Sequence, residues 1–286
     1  MKLVGLIYQI DELINLKDKL DCVMLEVDYL SNPKYSSYDT KELINRALEF
    51  NITPILKCNR MIHPKEINIV KDIIDKYLDC RCLFYITDLG LLNIFKELNI
   101  INRVIYDPIT MICNSLDAKN YYNFGVDSIG ISNEITLEDL NLIINKTNVK
   151  TFYQVFGYRL MLHSRRYLVS LYEEKIDTKF IKDKMVLEES TRNDLYPIVE
   201  NEQGTLIYRS GIISLIKEIK SLKIEYAYID HFNIDKDIYI NIINIFDDYL
   251  KDKINLTLAK EKLQLLNFNY SDGFSYKDSV YQKEEF

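Results

Sequence analysis

The sequence predicts an α/β fold, a (β/α)8 barrel of the TIM type with a β-hairpin inserted between strands seven and eight. The first observation is that eight short apolar runs recur along the 286 residues, and most are followed by an amphipathic helical pattern. The second is that the first seven runs start 19 to 31 residues apart, which is the length of a βα unit. The third is that the eight glycines are scattered singly, without the Gly-rich first turn of a doubly wound sheet. An open doubly wound sheet remains the alternative.

Each strand is predicted from a short apolar and β-branched run. The eight runs are Leu3–Tyr8, Cys22–Val27, Thr53–Lys57, Cys82–Thr87, Arg103–Tyr106, Ser128–Ile131, Thr151–Phe156 and Glu225–Ile229.

The helices are predicted from apolar residues that recur every three to four positions. Thr136 opens one of them as a capping residue, in the sequence Thr-Leu-Glu-Asp. The predicted helices include residues 41–50, 64–78, 136–144, 212–222 and 238–250.

The connection between strands seven and eight is about seventy residues long, well beyond an ordinary loop. Residues 196–210 read as two strands around a Gly-containing turn. We therefore predict one barrel domain over residues 1–254, with an insertion at about 173–222 and a C-terminal extension, 255–286, packed on the barrel. The hairpin is either a lid or partner surface, or an excursion packed on the outside.

Composition narrows the class of protein. No apolar run reaches the roughly 20 residues that a membrane span needs, and no signal sequence opens the chain, so we expect a cytoplasmic protein that does not bind membranes. Five cysteines do not suggest a disulfide framework. The net charge of −7 argues against broad nucleic-acid binding, although it leaves room for a local basic patch.

The stretch from Thr151 to Tyr172 carries the most unusual chemistry. An apolar strand pattern ends at Gly157, and Arg159, Arg165 and Arg166 follow within nine residues. Guanidinium groups bind carboxylates and phosphates through a planar set of donors. The stretch predicts either an anion-binding mouth at the end of the strand or a solvated helix face whose arginines pair with nearby carboxylates.

Barrel enzymes carry their sites on the loops that follow the strands. Polar residues stand at most strand ends, and some of them could instead cap helices, Asp88 and Asp107 in particular. Glu134 could pair with an arginine across the mouth. The candidates at strand ends are Glu26, Asp28, Asn59, Asp88, Asp107, Asn114, Glu134, Gly157, Arg159, Asp230 and His231.

Nucleophile and metal patterns are weak. His231, beside Asp230, is the best candidate for a general acid or base, and a structural histidine is the alternative. His163 and Ser164 are neighbours in sequence, which does not make a catalytic pair. No Cys-x-x-Cys or His-Glu-x-x-His spacing occurs, so no metal site is predicted.

Six motifs in order resemble peptidase family U32, the collagenase-like protease family. In the signature segment of that family, a strand runs into His-Gly, and Ser-Gly-Arg follows. Phe156-Gly157 resembles the His-Gly pair here, and Ser164-Arg165-Arg166 resembles Ser-Gly-Arg. The other similar segments are Ile55–Asn59, Thr87–Gly90, Tyr106–Asn114, Ile131–Thr136 and Tyr196–Val199 with Gly273-Phe274.

The resemblance implies a barrel whose bacterial members include oxygen-independent hydroxylases. They act on a tRNA wobble uridine, on ribosomal RNA or on the ubiquinone ring, with prephenate as oxygen donor. Several members hold an iron–sulfur cluster on four cysteines, two of them in the signature segment. Leu160 and Tyr167 stand at those two positions, and no cysteine follows Cys113, so a cluster of that kind is not expected here.

Three functions follow as expectations. The first is RNA modification, as tRNA wobble-uridine hydroxylation, with tRNA and a cluster-bearing paralogous subunit as partners and prephenate as ligand. The second is a collagenase-like peptidase, a hydrolase, and the third is a non-catalytic scaffold. Under the first, Glu134, Asp88 and His231 would be catalytic. The ligand would be bound by Asn59, Asn114, Gly157, Arg159, Ser164, Arg165 and Arg166.

Overall fold

Eight parallel strands close into a ring in the computed structural model, which describes residues 1–180, 185–191 and 194–276. Strand β7 (Lys150–Gly157) pairs with β6 (Ser128–Gly130) on one side and with β13 (Tyr226–Ile229) on the other, and β1 (Lys2–Ile7) joins β13 to β2 (Cys22–Glu26). This closed ring confirms the predicted TIM-type barrel. Its strands are β1 Lys2–Ile7, β2 Cys22–Glu26, β3 Thr53–Cys58, β4 Leu83–Ile86, β5 Val104–Tyr106, β6 Ser128–Gly130, β7 Lys150–Gly157 and β13 Tyr226–Ile229.

The helices of the described residues are α1 Ile10–Leu16, α2 Thr40–Glu49, α3 Ile67–Asp75, α4 Leu89–Glu97, α5 Ser115–Phe124, α6 Leu137–Lys146, α7 Leu168–Ile176, α8 Lys236–Leu250 and α9 Leu256–Gln264, with 3-10 turns at Pro64–Glu66 and Ile101–Arg103. Helices α1 to α6 alternate with the strands on the outside of the ring, α7 packs on the inserted sheet, and α8 and α9 follow the last barrel strand. Side chains cap the starts of α2, α4, α5, α6, α8 and α9, because the first amides of a helix have no partner within it. The hydroxyl of Thr136 accepts from the amide of Asp139, as the capping sequence predicts.

Alternation along the strands produces two apolar cores. The barrel interior is filled by Val4, Leu6, Cys22, Met24, Ile55, Ile105, Phe152, Tyr226 and Tyr228. The side chains that point outward pack against the helices and form the larger core. The interior is therefore packed near its base, and a group of polar side chains stands at the carboxyl ends of the strands.

A second, antiparallel sheet lies over those carboxyl ends. It consists of β8 Leu160–Ser164, β9 Val186–Glu188, β10 Leu195–Asn201 and β11 Gly204–Tyr208, in the order β8-β11-β10-β9. The predicted hairpin is confirmed as β10 and β11, with Asn201 opposite Gly204. The two outer strands were not predicted.

The helix predicted over residues 212–222 is wrong. Strand β12, Ile213–Ser214, pairs with the end of β7, and turns follow it. The amide of Leu215 donates to the carbonyl of Val155 at 2.9 Å instead of to a carbonyl within its own segment. Ile212, Ile216, Ile219 and Leu222 are buried against the barrel, so their helix-like spacing reflects packing in consecutive turns.

Beyond α8 the chain packs on the barrel as far as it is described. Ala259 and Leu263 of α9 are buried, and Tyr270 forms a bridge with Ile212. Residues 277–286 of the predicted extension lie outside the described residues, and the domain boundary at residue 254 stays a prediction. In the described part of the chain, no helix combines the length and the apolarity needed to cross a bilayer.

Gly204 should be required for the inserted sheet. Its φ is +116°, and a Cβ there would lie 2.0 Å from the carbonyl oxygen of Ser164. We expect Gly204→Ala to expose the insertion to limited proteolysis and to lower Tm by several degrees. Gly90→Ala is the control, since its Cβ would meet only the tip of the Asp88 side chain. Equal protease resistance of the two variants would contradict this reading.

Candidate active site at the barrel mouth

A small polar cavity of about 70 Å³ lies where the strands end, between the ring and the inserted sheet. Strands β2 to β7 and β13, or the residues that follow them, contribute to its wall, and β8 and β11 close it from above. The lining residues are Met24, Asn32, Pro33, Lys57, Asn59, Tyr85, Asp107, Ile109, Asn133, Phe152, Gln154, Tyr158, Leu160, Tyr208, Tyr228 and Asp230. We call this space the mouth cavity.

Asp107 is buried in the wall of the mouth cavity. Its carboxylate accepts from the Tyr85 hydroxyl at 3.0 Å and from the Ile109 amide at 2.8 Å. Burial raises the pKa of Asp107 to about 6, although these two hydrogen bonds act in the opposite direction. Gly130 makes the position possible, because a Cβ there would lie 2.1 Å from the Asp107 carboxyl carbon. A carboxyl group with this pKa can take up and release a proton near neutral pH.

Lys57 brings a cation to the same wall. Its ammonium lies 3.5 Å from Oε1 of Glu26, and both side chains are buried. The other Glu26 oxygen accepts from the amides of Tyr35 and Ser36 at 2.6 and 2.8 Å. Glu26 thus fixes the loop after β2 and holds Lys57 in place. An ammonium group excluded from water attracts a carboxylate strongly.

Asp230 follows β13 and completes the polar wall. It accepts from the Tyr228 hydroxyl at 2.6 Å and from the Phe232 amide at 2.7 Å. Gly157, at φ +114°, lies against it, since a Cβ at that position would be 2.8 Å from the Asp230 Cβ. The structural task of Gly157 is therefore to let β7 end close to Asp230.

Asn32 ties the inserted sheet to the barrel. Its backbone amide and carbonyl bond to the Asn59 side chain at 2.9 and 2.6 Å. Its side-chain oxygen accepts from Asn201 at 2.9 Å, so its amide nitrogen donates to Nε2 of His163 at 2.9 Å. This assigns the neutral Nδ1–H form to His163, and burial together with Arg165 lowers the pKa of His163.

The three arginines that the sequence suggests for an anion-binding mouth do not line the mouth cavity. Arg159 is 1% exposed, and its guanidinium donates to the carbonyls of Asn133 and Gln154 behind the wall. Arg165 donates to the Met61 carbonyl and pairs with Glu66 at 3.1 Å, and Arg166 lies exposed. Strand β8 is the reason, because it carries the chain away from the ring between the first arginine and the other two. The predicted ligand-binding role of the three stays a prediction.

The other predicted residues divide into one that lines the mouth cavity and several that do not. Asn59 lines it. Asp88 caps α4, accepting from the amides of Gly90 and Leu91, and Asn114 caps α5 in the same way. Glu134 pairs with Arg209 at 2.5 Å, outside the cavity lining. The hydroxyl of Ser164 accepts from the Arg166 amide. Their functional roles stay predictions.

His231 lies behind the mouth rather than in it. Its ring is stacked between Tyr8 and Tyr239, with centroids 4.5 and 3.8 Å away. Burial lowers its pKa to about 4, so the imidazole is neutral at pH 7. Its predicted catalytic role stays a prediction, and the structure gives it a packing role.

Sequence reasoning missed Lys57 and Tyr85 as mouth residues and recorded Asp107 and Asp230 only as strand ends. Lys57 did carry a signal, since a lysine inside the run Thr53–Cys58 is unusual for a buried strand. Its inward direction follows from alternation with Ile55, which faces the barrel interior.

Thiolate and metal chemistry have no built site in the described residues. Burial raises the pKa of Cys58 and Cys22 well above that of a free thiol. In residues 1–180, 185–191 and 194–276, no three His, Cys, Asp or Glu side chains are grouped to hold a metal ion. Leu160 lines the mouth cavity and the Tyr167 hydroxyl donates to the Glu202 carbonyl, so neither residue fits an iron–sulfur cluster.

The fold and the polar mouth define a TIM-type barrel with a candidate site at the carboxyl ends of its strands. Residues 31–284 match the profile of Peptidase family U32, and the chain belongs to that family. A solved structure titled "The Structure of the U32 Peptidase Mk0906" superposes with a TM-score of 0.52 over 80% of this chain and 92% of that one, at 13% identity.

A curated relative is named tRNA hydroxylation protein P2, from Bacillus subtilis (strain 168). It is 27% identical over 173 residues, which cover 53% of this chain and 55% of the relative. The matched region thus spans about half the length of that protein.

Replacing the buried carboxylate should change how stability depends on pH. Asp107 has a higher pKa in the folded protein than in the unfolded chain, so its protonated form favours folding. This contribution to the free energy of unfolding is fully present below about pH 4 and is lost as the pH rises toward 6. We expect Asp107→Asn to gain stability relative to wild type over that window, by at most about 3 kcal/mol from the difference between the two pKa values. Denaturant unfolding at pH 4 to 8 measures it. Asp75→Asn, at an exposed position, is the control. If the difference in free energy of unfolding between Asp107→Asn and wild type did not change with pH, the burial of Asp107 would be contradicted.

Asn32→Ala should loosen the inserted sheet. The change removes both side-chain bonds to the sheet, while the bonds between Asn59 and the Asn32 backbone remain. It removes the Asn32 partner of His163 Nε2 and of the Asn201 side-chain nitrogen, at a cost of roughly 1–3 kcal/mol each, while the Asn201 side-chain oxygen still accepts from the Gln203 amide. We expect faster hydrogen exchange in β8 and β10 and unchanged exchange in β1 to β6. Uniform acceleration, or none, would count against a local tie.

Proposed function

We propose that this U32 family protein acts in RNA modification, as oxygen-independent hydroxylation of a tRNA wobble uridine. The observation that carries the proposal is that a buried cation, Lys57, and a buried carboxyl group, Asp107, whose pKa is about 6, line the same cavity. The name of the tRNA hydroxylation relative supports the reaction class. The proposal includes two partners, tRNA and a cluster-bearing paralogous subunit.

Each part of the mouth has a role in this proposal. Lys57 binds a carboxylate of the small ligand, for which prephenate is the proposed identity, and the amides of Asn59 and Gln154 hold its oxygens. Asp107 takes up or releases a proton during the reaction, and the Tyr85 hydroxyl orients its carboxyl group. Hydrogen bonds inside an enclosed cavity are stronger than in water, which favours such a preorganised arrangement.

Ligand entry requires the inserted sheet to move. A cavity of about 70 Å³ is far below the roughly 300–1,000 Å³ of small-molecule sites. Leu160 and Tyr208 of that sheet form part of its cover. The sheet therefore serves as the lid, held by the Asn32 contacts.

A peptidase is the second candidate, because the family carries that name. A serine peptidase would need Ser164 and His163 to face each other. The hydroxyl of Ser164 instead accepts from the Arg166 amide, and Nε2 of His163 bonds to Asn32. The geometry therefore favours the first candidate.

Deletion of the gene should remove a hydroxylated nucleoside from total tRNA, measured by nucleoside mass spectrometry. Wild-type protein should restore it, and Lys57→Met should restore less than about a tenth, because a buried cation–carboxylate contact is worth more than tenfold in binding. The exposed Lys119→Met in α5 is the matched control and should restore it fully. Full restoration by Lys57→Met, an unchanged nucleoside profile, or cleavage of gelatin by purified protein would overturn the proposal.

A further inference from the structure

A second pocket opens beside the mouth cavity, at the ends of β1 and β13. It lies between these ends, the loop after β2 and strand β10, and its volume is about 370 Å³. That volume is within the range of small-molecule sites, whereas the mouth cavity is not. We call it the rim pocket, and define it by Tyr8, Tyr35, Pro197, Val199, His231 and Phe232.

Aromatic rings form its walls, and other rings hold them from behind. Phe232 stacks on Tyr208 at 3.7 Å, and His231 stacks between Tyr8 and Tyr239. Tyr35 faces Phe232 with centroids 6.3 Å apart and an interplanar angle of 38°. Rings fixed in this way offer flat apolar surface with little loss of side-chain freedom.

Charge restricts what the rim pocket can take. Its described lining contains no lysine or arginine, and it does contain the carboxylate of Glu200. Glu200 is engaged by the Val169 amide at 2.7 Å and by Ser170. A phosphate or carboxylate would meet a like charge here without a compensating cation, so any charged part of a ligand must stay outside.

Two buried polar atoms lie in the same walls. The Tyr8 hydroxyl and Nδ1 of His231 have no hydrogen-bond partner among the described residues, and the nearest carboxylate oxygen to that nitrogen, Glu12 Oε1, is 3.7 Å away. Neither atom is accessible to solvent, so both lie behind the ring faces and not at the surface of the rim pocket. The surface of the pocket is therefore mainly aromatic and apolar.

We propose that the rim pocket binds an uncharged planar ring, stacked against Tyr35 and Phe232. Two sources share this chemistry, a nucleobase and the ring of a small aromatic acid whose charged group lies outside the pocket. Only the identification of the ring as uracil rests on the proposed function. A base seated there would lie at the rim of the same barrel end as the proposed ligand of Lys57.

Saturation-transfer NMR with the full chain tests the proposal, with uridine and 3-phenylpropionate as separate probes. Tyr35→Ala removes an exposed ring, while its backbone amide can still donate to Glu26. Tyr38→Ala is the matched control, a tyrosine in the same loop that is 37% exposed and does not line the pocket. Phe232→Leu keeps an apolar side chain but removes the ring, and circular dichroism checks the fold of all three variants.

We expect transfer to the ring protons of at least one probe, and a rise in its Kd of about fivefold or more in Tyr35→Ala and Phe232→Leu, because base–aromatic stacking has this magnitude. Tyr38→Ala should bind as wild type does. The probe that binds identifies the source of the ring. Absence of transfer from both probes, or equal weakening by Tyr35→Ala and Tyr38→Ala, would overturn the proposal. If neither probe bound but the hydroxylated tRNA nucleoside still depended on Lys57, the rim-pocket proposal would be wrong and the proposed function would still hold.

Discussion

The backbone hydrogen bonds of β7 to both β6 and β13 close the sheet into a ring, and the whole site depends on this closure. Without the pairing of β6 with β7, the ends of β5 and of β13 would lie five strands apart in one sheet. In the ring, Lys57 from β3, Asp107 after β5 and Asp230 after β13 line one cavity. Their meeting is a consequence of backbone pairing, to which none of the three side chains contributes.

Closure of the ring also determines where polar side chains can lie inside the barrel. The lower interior is filled mostly by apolar side chains from alternating strand positions, and the polar groups of the mouth stand at the carboxyl ends. The inserted sheet then covers these groups, so that Lys57 and Asp107 are buried and Asp230 is partly buried. Each of them carries a stated partner in compensation, Tyr85 for Asp107, Glu26 for Lys57 and Tyr228 for Asp230. Burial under this cover is what moves the pKa of Asp107 toward neutrality.

The eight strands and the hairpin could be predicted from the sequence because their signals are local. Period-two and period-3.6 patterns report which face is buried, and β10 and β11 flank a Gly-containing turn. The segment 212–222 shows the limit of this reasoning, since buried residues in consecutive turns along the barrel wall have the same spacing as a helix face. Propensity there gave way to a hydrogen bond with Val155, which no local pattern reveals.

The site was less predictable, because the spacing of residues in the sequence does not determine where each side chain points in the folded barrel. Asp88 and Asp107 both follow a strand, yet Asp88 caps α4 while Asp107 turns into the cavity. The space that admits Asp107 is left by Gly130, on a different strand. The arginines, close in sequence, are separated by β8, whereas Lys57 was passed over as an ordinary strand residue. Membership of the U32 family implies the barrel, whereas the three-dimensional arrangement decides which residues line its mouth.

The most direct test of this account is an NMR titration of the Asp107 carboxyl carbon. We expect the inserted sheet to set the protonation of this group by excluding water from the mouth. The midpoint should lie near pH 6 in the wild-type chain and fall toward the ordinary aspartate value of about 4 when the Asn32 side chain is removed. A midpoint near 4 in the wild-type chain would show that the mouth is open to water, and would contradict the account.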